Sequence, residues 1–392
     1  MAKKTLKIIS YTLLGVILAA LFICYVVWAI TPVYNFPEAK LFSGAKFYNP
    51  YKDYDNQHYY RANFHGHSRL TGGVTNGKDN TMEDVFKAYR DLKYGYATVS
   101  NYHHVTEESF YDFPYIPAQE YGVNIFKTHM LLVGSKRREF FDQPLLQDAN
   151  TIQFRINIVK PHTEVLSLAH PSFLNGIEVE HMKKITGYDL MEVINTFAHS
   201  VKHWDTALSS GRPAFLLASD DTHNVFINTD IGRNITMVPL DPKESEKIYD
   251  VLKSGSVYGI TVPHTIALLD RAEKLKVLKT HPQLLSLQVD DNGKISMALN
   301  RNVDKITFSS NYGEERASFD NVSSAYYQMQ DNDSYARATV YFDNPVIRTD
   351  DGLKPVMPQV TVSYPLSIIK WILTTSFVVA ILYVIYRRRS KK

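Results

Sequence analysis

In YRANFHGHSRLT, Tyr60 to Thr71, a strand-like run from Arg61 to Phe64 leads directly into His65-Gly66-His67. Side chains along an extended segment alternate faces, so imidazoles at i and i+2 project the same way and can reach one point. Gly66 places no side chain between them, and Gly72-Gly73 lets the chain turn away over the site. The arrangement suits a cation. With 14 His among 392 residues, however, a His-x-His pair is expected by chance about 0.5 times. The reading therefore depends on ligands from elsewhere in the chain.

Such residues recur where apolar runs end. YATVS, Tyr96 to Ser100, is followed by Asn101-Tyr102-His103-His104, and the strand expected over Val123 to Gly134 contains His129. VLSLA, Val165 to Ala169, ends in His170, and AFLLA, Ala214 to Ala218, ends in Ser219-Asp220-Asp221-Thr222-His223. Between them fall a helix opened by Thr81 and stopped by Gly95, a helical stretch from Asn150 to Val159, a strand from Asp189 to Val193 and a helix from His203 to Ser210. Alternating short apolar strands and helices predict an α/β fold with parallel strands, in which functional residues gather at the carboxyl ends. Taken singly, His129 reads as a core histidine and Asp220-Asp221 as a helix cap. Joint occurrence at strand ends favours a metal centre. His199 and His203, four apart, read as an exposed helix face, and His58, His162, His181, His264 and His281 as surface or structural.

The chain ends bound its setting. Ile8 to Ile30 is a run of 23 residues without a charge, preceded by Lys3, Lys4 and Lys7. Such a run spans a hydrocarbon core of about 30 Å. It reads as an uncleaved anchor, with a cleaved signal sequence as the alternative. Leu366 to Tyr386 is a second span, interrupted by Lys370, and Arg387 to Lys392 is a basic tail. Basic clusters beyond both spans predict cytoplasmic termini and an extracytoplasmic body, in a bacterial inner membrane with the body in the periplasm. The single cysteine, Cys24, lies within the first span. The body therefore has no disulfide, and any metal site in it must use His, Asp and Glu. A net charge of +3 gives no reason to expect a nucleic-acid partner.

The ordered set HGH, SNYHH, THMLLVG, LAHPS, EVINTF and SDDTH, from about Arg61 to Thr229, resembles the PHP (polymerase and histidinol phosphatase) metallohydrolase domain. The resemblance implies a distorted barrel of about seven strand-helix units, with Zn, Mn or Fe at its carboxyl end and phosphoester hydrolysis as its usual chemistry. It implies His65, His67, His129, His170, Asp220 and His223 as ligands, with His170, Asp220 and His223 also catalytic. Where the family carries Asp-His after its second strand, this chain has Asn101-Tyr102, with His103 displaced by one. The position of a metal-bridging Glu falls on Asn124, leaving Glu120 as the nearby carboxylate that can take that role. With a neutral amide in place of the bridge, one or two ions are expected. Arg61, Arg69 and Lys127 are the candidate phosphate clamps.

Residues 31–60 read as a linker lying on the body, which covers 61–265. From 266 to 350 the pattern turns to alternation, with Asp291-Asn292-Gly293 as a hairpin turn, and predicts a small antiparallel β-sandwich before a linker at 351–365. The expected function is a membrane-anchored metal-dependent phosphoesterase acting on a small or glycan-linked substrate. The alternative is an inactive metal-binding domain that recognises an envelope glycan or a protein.

Overall fold

The computed structural model describes residues 2–70, 77–143, 147–340 and 342–389; the expected Gly72-Gly73 turn lies outside them. Helix α1 (Ala2–Ile30) leads to strands β1 (Tyr34–Asn35), β2 (Lys46–Tyr48) and β3 (Tyr60–Asn63). Helix α2 (Met82–Asp91) precedes β4 (Tyr96–Ala97), β5 (Ala118–Tyr121) and β6 (His129–Ser135); α3 (Ala149–Val159) precedes β7 (Thr163–Ala169) and β8 (Leu190–Asn195). Then come α4 (Val201–Leu208), β9 (Phe215–Ser219), β10 (Asn234–Val238), α5 (Ile248–Ser254) and β11 (Tyr258–Thr261). Two further helices, α6 (His264–Ala267) and α7 (Arg271–Lys279), precede β12 (Leu284–Val289), β13 (Lys294–Ser310), β14 (Glu314–Gln328) and β15 (Tyr335–Thr339). Short strands β16 (Phe342–Asp343), β17 (Val346–Thr349) and β18 (Thr361–Val362) lead into α8 (Tyr364–Arg389).

The protein is mixed α/β, and among the described residues its ladders form separate sheets and not one closed barrel. One sheet has five strands in the order β5-β6-β7-β8-β9; a second has eleven and carries β3, β4, β10 and β11. Single bridges join the two, Gly66 to Thr222 and Tyr102 to Glu120, both parallel. The expectation of parallel strands holds for β3-β4, β7-β8 and β8-β9, while β5-β6 and β6-β7 are antiparallel. The turn from Gly122 to Thr128 explains the first exception, because a parallel crossover needs about a dozen residues or more. The alternating segment beyond Leu284 forms the expected antiparallel strands, with the β12-β13 turn closed by Asp290 and by Gly293 at φ +80°. Its ladder continues through β15 and β16 into β11, so these strands belong to the same sheet as β3.

Local chemistry sets the element ends. Thr81 and Asp84 form a reciprocal capping box at the start of α2, satisfying donors that a helix start leaves unpaired. The helix stops at Asp91, ahead of the expected Gly95, and Lys93 takes the left-handed conformation at φ +58°. The amphipathic stretch from Asp241 opens with a 3-10 turn, Pro242–Lys247, before α5, which ends on Gly255 at φ +80°. His203 is buried, with Nε2 2.8 Å from Ile177 O, which corrects the exposed face expected for it. The 31–60 segment is held down by Tyr51, whose buried hydroxyl donates to Val257 O.

Two helices, Lys4–Ile30 (27 residues) and Tyr364–Arg387 (24 residues), are long and apolar enough to cross a membrane. They pack on each other: Tyr25 Oη donates to Thr374 O at 2.7 Å and Lys370 Nζ to Thr31 O at 3.0 Å. The antiparallel β1-β18 pair ties the chain together just beyond them.

Buried Asp205 on α4 accepts from Arg337 Nε and a second guanidinium nitrogen at 2.8 and 2.9 Å, and from Tyr335 Oη at 2.9 Å. Asp205→Ala leaves a guanidinium buried without a counter-charge and is expected to destabilise the protein by about 3–5 kcal/mol. Thermal unfolding of the full chain in detergent measures this, and the double variant Asp205→Ala/Arg337→Leu should recover part of the loss.

Candidate metal centre

The strand registers bring the site together. His129, at the start of β6, lies opposite Ala169 at the end of antiparallel β7, beside His170. Glu120 in β5 pairs with Leu131 of β6 and bridges to Tyr102 beyond β4. Asp221 N donates to His65 O and His67 N to Thr222 O, locking the residues after β9 against those after β3. An added Cβ at Gly66 would meet Thr222 Cγ2 at 3.0 Å, so glycine permits this close approach. Asn63 accepts from Asp220 N and donates to His65 O, and Asn101 holds Ser68 through its backbone and hydroxyl.

Two groups of ligand atoms share one carboxylate. His65, His67, Glu120 and Asp221 form one group, and Glu120, His129 and His170 the other; all are buried. Glu120 Oε2 is 3.3 Å from His65 Nε2 and 3.2 Å from His67 Nε2. Its Oε1 is 2.6 Å from His129 Nδ1 and 3.3 Å from His170 Nε2. Asp221 Oδ1 is 3.2 Å from His65 Nε2 and 3.1 Å from His67 Nε2. Among the described residues, His65 Nε2, Glu120 Oε2 and His129 Nδ1 are buried without a well-directed hydrogen bond. Buried polar atoms without a partner are costly, and a divalent cation in each of the two groups would satisfy all three. The donor set of imidazole and carboxylate fits Zn, Mn or Fe.

Behind the ligands, Glu192 Oε1 is 3.0 Å from His65 Nδ1, while Oε2 accepts from His170 N and Asn195 Nδ2, both at 2.9 Å. Carboxylates of this kind orient a ligating imidazole and raise its basicity. Tyr102 stacks on His67 with centroids 4.9 Å apart and meets His129 edge-on at 5.3 Å.

Burial alone would lower the His67 pKa, but hydrogen bonds to Asp221 and Glu120 outweigh it and raise the imidazole to about 9. Burial opposes ionisation of Glu120, yet the imidazoles of His129 and His65 hold it well below the usual carboxylate range. Burial holds His129 below its ordinary value even beside Glu120, and the Lys127 ammonium adds to the effect. Burial pushes Tyr102 up, and the charges of Glu120 and Asp221 push it further.

The structure departs from several expected roles. Asp220 faces away from the histidines: its carboxylate accepts from Tyr89 Oη and from the backbone of Gly232, Arg233 and Asn234, at 2.6–3.1 Å. Burial raises its pKa to about 6. Asp221 takes the ligand position instead, because a left-handed backbone at φ +52° turns its side chain into the site. The i, i+2 spacing of Asp221 and His223, the same as that of His65 and His67, was the available signal. Asn124 caps its own turn, bonding Thr128 N and O at 2.9 Å, and the shared carboxylate is Glu120. His103 Nδ1 contacts Glu139 O, outside both groups. His223 Nδ1 donates to Asp221 O at 2.9 Å, leaving Nε2 as its unoccupied edge at the mouth, next to His67. Arg61 donates to Leu92 O and Leu278 O, and about four residues of strand, roughly 13 Å, separate it from His65; it is not a clamp. Arg69 is exposed, and Lys127 is half-buried on the turn before His129. Glu192 went unread, although an acid inside an apolar strand signals a buried partner.

No family model matches the chain, and no curated protein matches it. Among solved structures, it is similar to a two-domain protein from Bacteroides vulgatus containing a predicted PHP-like metal-dependent phosphoesterase. That similarity has 9% identity and a TM-score of 0.38, covering 81% of this chain and 92% of the other.

His67 is protonated at pH 7 when its pKa is about 9, so loading a cation must expel a proton, and affinity rises with pH. Calorimetry in two buffers of different ionisation enthalpy should detect that release; no release contradicts the site. Elemental analysis should show Glu120→Gln losing metal from both groups, whereas His129→Ala keeps an ion at His65 and His67. Glu192→Gln is expected to weaken metal binding about 10–100-fold.

Proposed function

We propose that this chain is a membrane-anchored, metal-dependent hydrolase of phosphoesters whose body lies on the extracytoplasmic side. Glu120 carries the reading: one buried carboxylate faces two sets of imidazoles, the layout that holds a pair of divalent ions. His65, His67, Asp221 and Glu120 would hold one ion, and Glu120, His129 and His170 the other. Such ions, when bound, acidify water and polarise phosphoryl oxygens.

The chain's own groups supply the rest. His223 is fixed by its Nδ1 bond to Asp221 O, which leaves Nε2 to accept a proton at the mouth. Lys127 offers a cation for a phosphate, and Tyr102 covers His67 and His129, limiting water. We read Gly66–Thr222 and Tyr102–Glu120 as the seams of an irregular seven-stranded ring, β3 to β9, with the site at one pole. The basic residues flanking both spans support cytoplasmic termini.

The purified full chain should hydrolyse an aryl phosphate when supplied with Mn or Zn. Metal retained without turnover, across several phosphoesters, would favour a binding domain for an envelope glycan or protein. His223→Asn should keep its metal and lose about 10²–10⁴-fold in kcat. Burial and the neighbouring His67 hold His223 below its ordinary pKa of 6.5. Nε2 accepts protons only when neutral, so at saturating metal wild-type activity should fall as the pH drops below that value, a limb that His223→Asn abolishes.

A further inference from the structure

The loops around the metal centre present apolar side chains to the outside. Val123 is 50% exposed, Ile125 66%, Phe126 45%, Phe140 70% and Leu174 65%. Val123, Ile125 and Phe126 lie on the turn between Glu120 and His129, Leu174 lies on the turn after His170, and Phe140 lies on the segment after β6 that returns to β5, where Tyr121 Oη donates to Phe141 O. The turn holding Val123, Ile125 and Phe126 packs against Gly176, whose added Cβ would lie 2.4 Å from Lys127 O. Leu174 therefore borders the same rim. Inside it, Phe173 meets His170 at 5.6 Å and Phe197 at 5.3 Å, and Phe197 meets His223 at 5.7 Å, an aromatic wall along the mouth. Exposed apolar groups gathered at one mouth mark a contact surface.

The covering partner follows from where this rim is tied. Gln143 Nε2 donates to Cys24 O of α1 at 3.0 Å. Cys24 lies six residues before the end of α1 at Ile30, so this contact is about 9 Å back along the helix axis. With headgroup layers of about 5–8 Å on either side of a core of about 30 Å, that depth falls just below the headgroups, in the outer part of the hydrocarbon. From Gln143 the connection is short. Asp142 Oδ2 accepts from Val123 N at 2.7 Å, and Asn124 bonds both backbone groups of Thr128, the residue before His129. Arg138 lies over the Phe140 ring at 4.5 Å, pairing a cation with an apolar body as interfacial side chains do.

Resting on the phosphoesterase reading, we infer that the mouth of the metal centre is seated in the membrane interface by Val123, Ile125, Phe126 and Phe140, and that its substrate is a phosphoester carried on a lipid. The headgroup reaches the site beside Lys127 while the acyl portion stays in the bilayer against the rim. Hydrolysis places the oxygen of water on phosphorus, breaks the bond from phosphorus to the lipid oxygen, and returns a proton to that oxygen as the lipid alcohol leaves.

The test uses the full chain in phosphatidylcholine vesicles. Cys24 is the sole cysteine, so Cys24→Ser with Phe126→Cys allows one nitroxide label at the rim; Tyr326→Cys, on distant β14, is the reference. The label at 126 should be reached by oxygen in preference to a water-soluble nickel chelate, and the label at 326 by the chelate. In parallel, Ile125→Asp/Phe126→Asp should reduce turnover of phosphatidic acid in the vesicles about tenfold or more, with soluble 4-nitrophenyl phosphate unchanged. A label at 126 as open to the chelate as that at 326 overturns the inference whatever the activity. Equal losses on both substrates overturn the lipid-borne substrate. An immersed label with neither substrate turned over overturns the phosphoesterase reading, and with it this substrate, while the seated rim stands.

Discussion

The Glu120 carboxylate is the constraint around which the body is arranged. It is fully buried and lies within 3.3 Å of imidazole nitrogens from His65, His67, His129 and His170. A carboxylate out of water is tolerated only when charge and hydrogen-bond donors surround it. Here the surroundings are ring nitrogens from strand ends far apart in sequence, two of which, on His65 and His129, are left without a well-directed hydrogen bond among the described residues. Glu192 then orients His65 from behind and is itself held by Asn195 and the His170 backbone. Each layer of polar groups depends on the one outside it.

Topology makes that convergence possible. A parallel sheet alone would deliver ligands only from carboxyl ends. The antiparallel pairs β5-β6 and β6-β7 put the first residue of β6 at the same pole, beside the last residues of β5 and β7. The left-handed residues His170, at φ +28°, and Asp221, at φ +52°, lie at the ends of β7 and β9. Such conformations cost of order 1–3 kcal/mol each and persist where surrounding contacts over-determine them. At both positions they aim a side chain at Glu120 or His67.

The two apolar helices are part of the same construction. They contact each other, they are joined by the β1-β18 pair, and α1 is bonded to the segment beside the metal centre through Gln143. The body is thus tied to its helices at the pole that carries the site. A flexible tether would let that pole point anywhere; a hydrogen bond within the helix fixes its height along the helix axis.

Much of this was local and therefore legible in the chain itself. The apolar runs at both ends, the capped start of α2, the strands VLSLA and AFLLA, the Asp291-Asn292-Gly293 hairpin turn and the grouping of histidines after strands all follow from periodicity and turn chemistry. These depend on residues within a few positions of one another. The choice of Asp221 over Asp220 rested on one backbone torsion, and the position of Glu120 on the register of β5, a short strand with no periodic signature. The distance of Arg61 from the site, the role of Glu192 and the passage of β15 and β16 into the sheet of β3 are likewise pairings between remote segments. Sequence by itself determined which chemistry was available and roughly where the chain would bend. Only the tertiary structure decided which side chains meet, because alternation tells which face a residue takes but not which strand lies opposite.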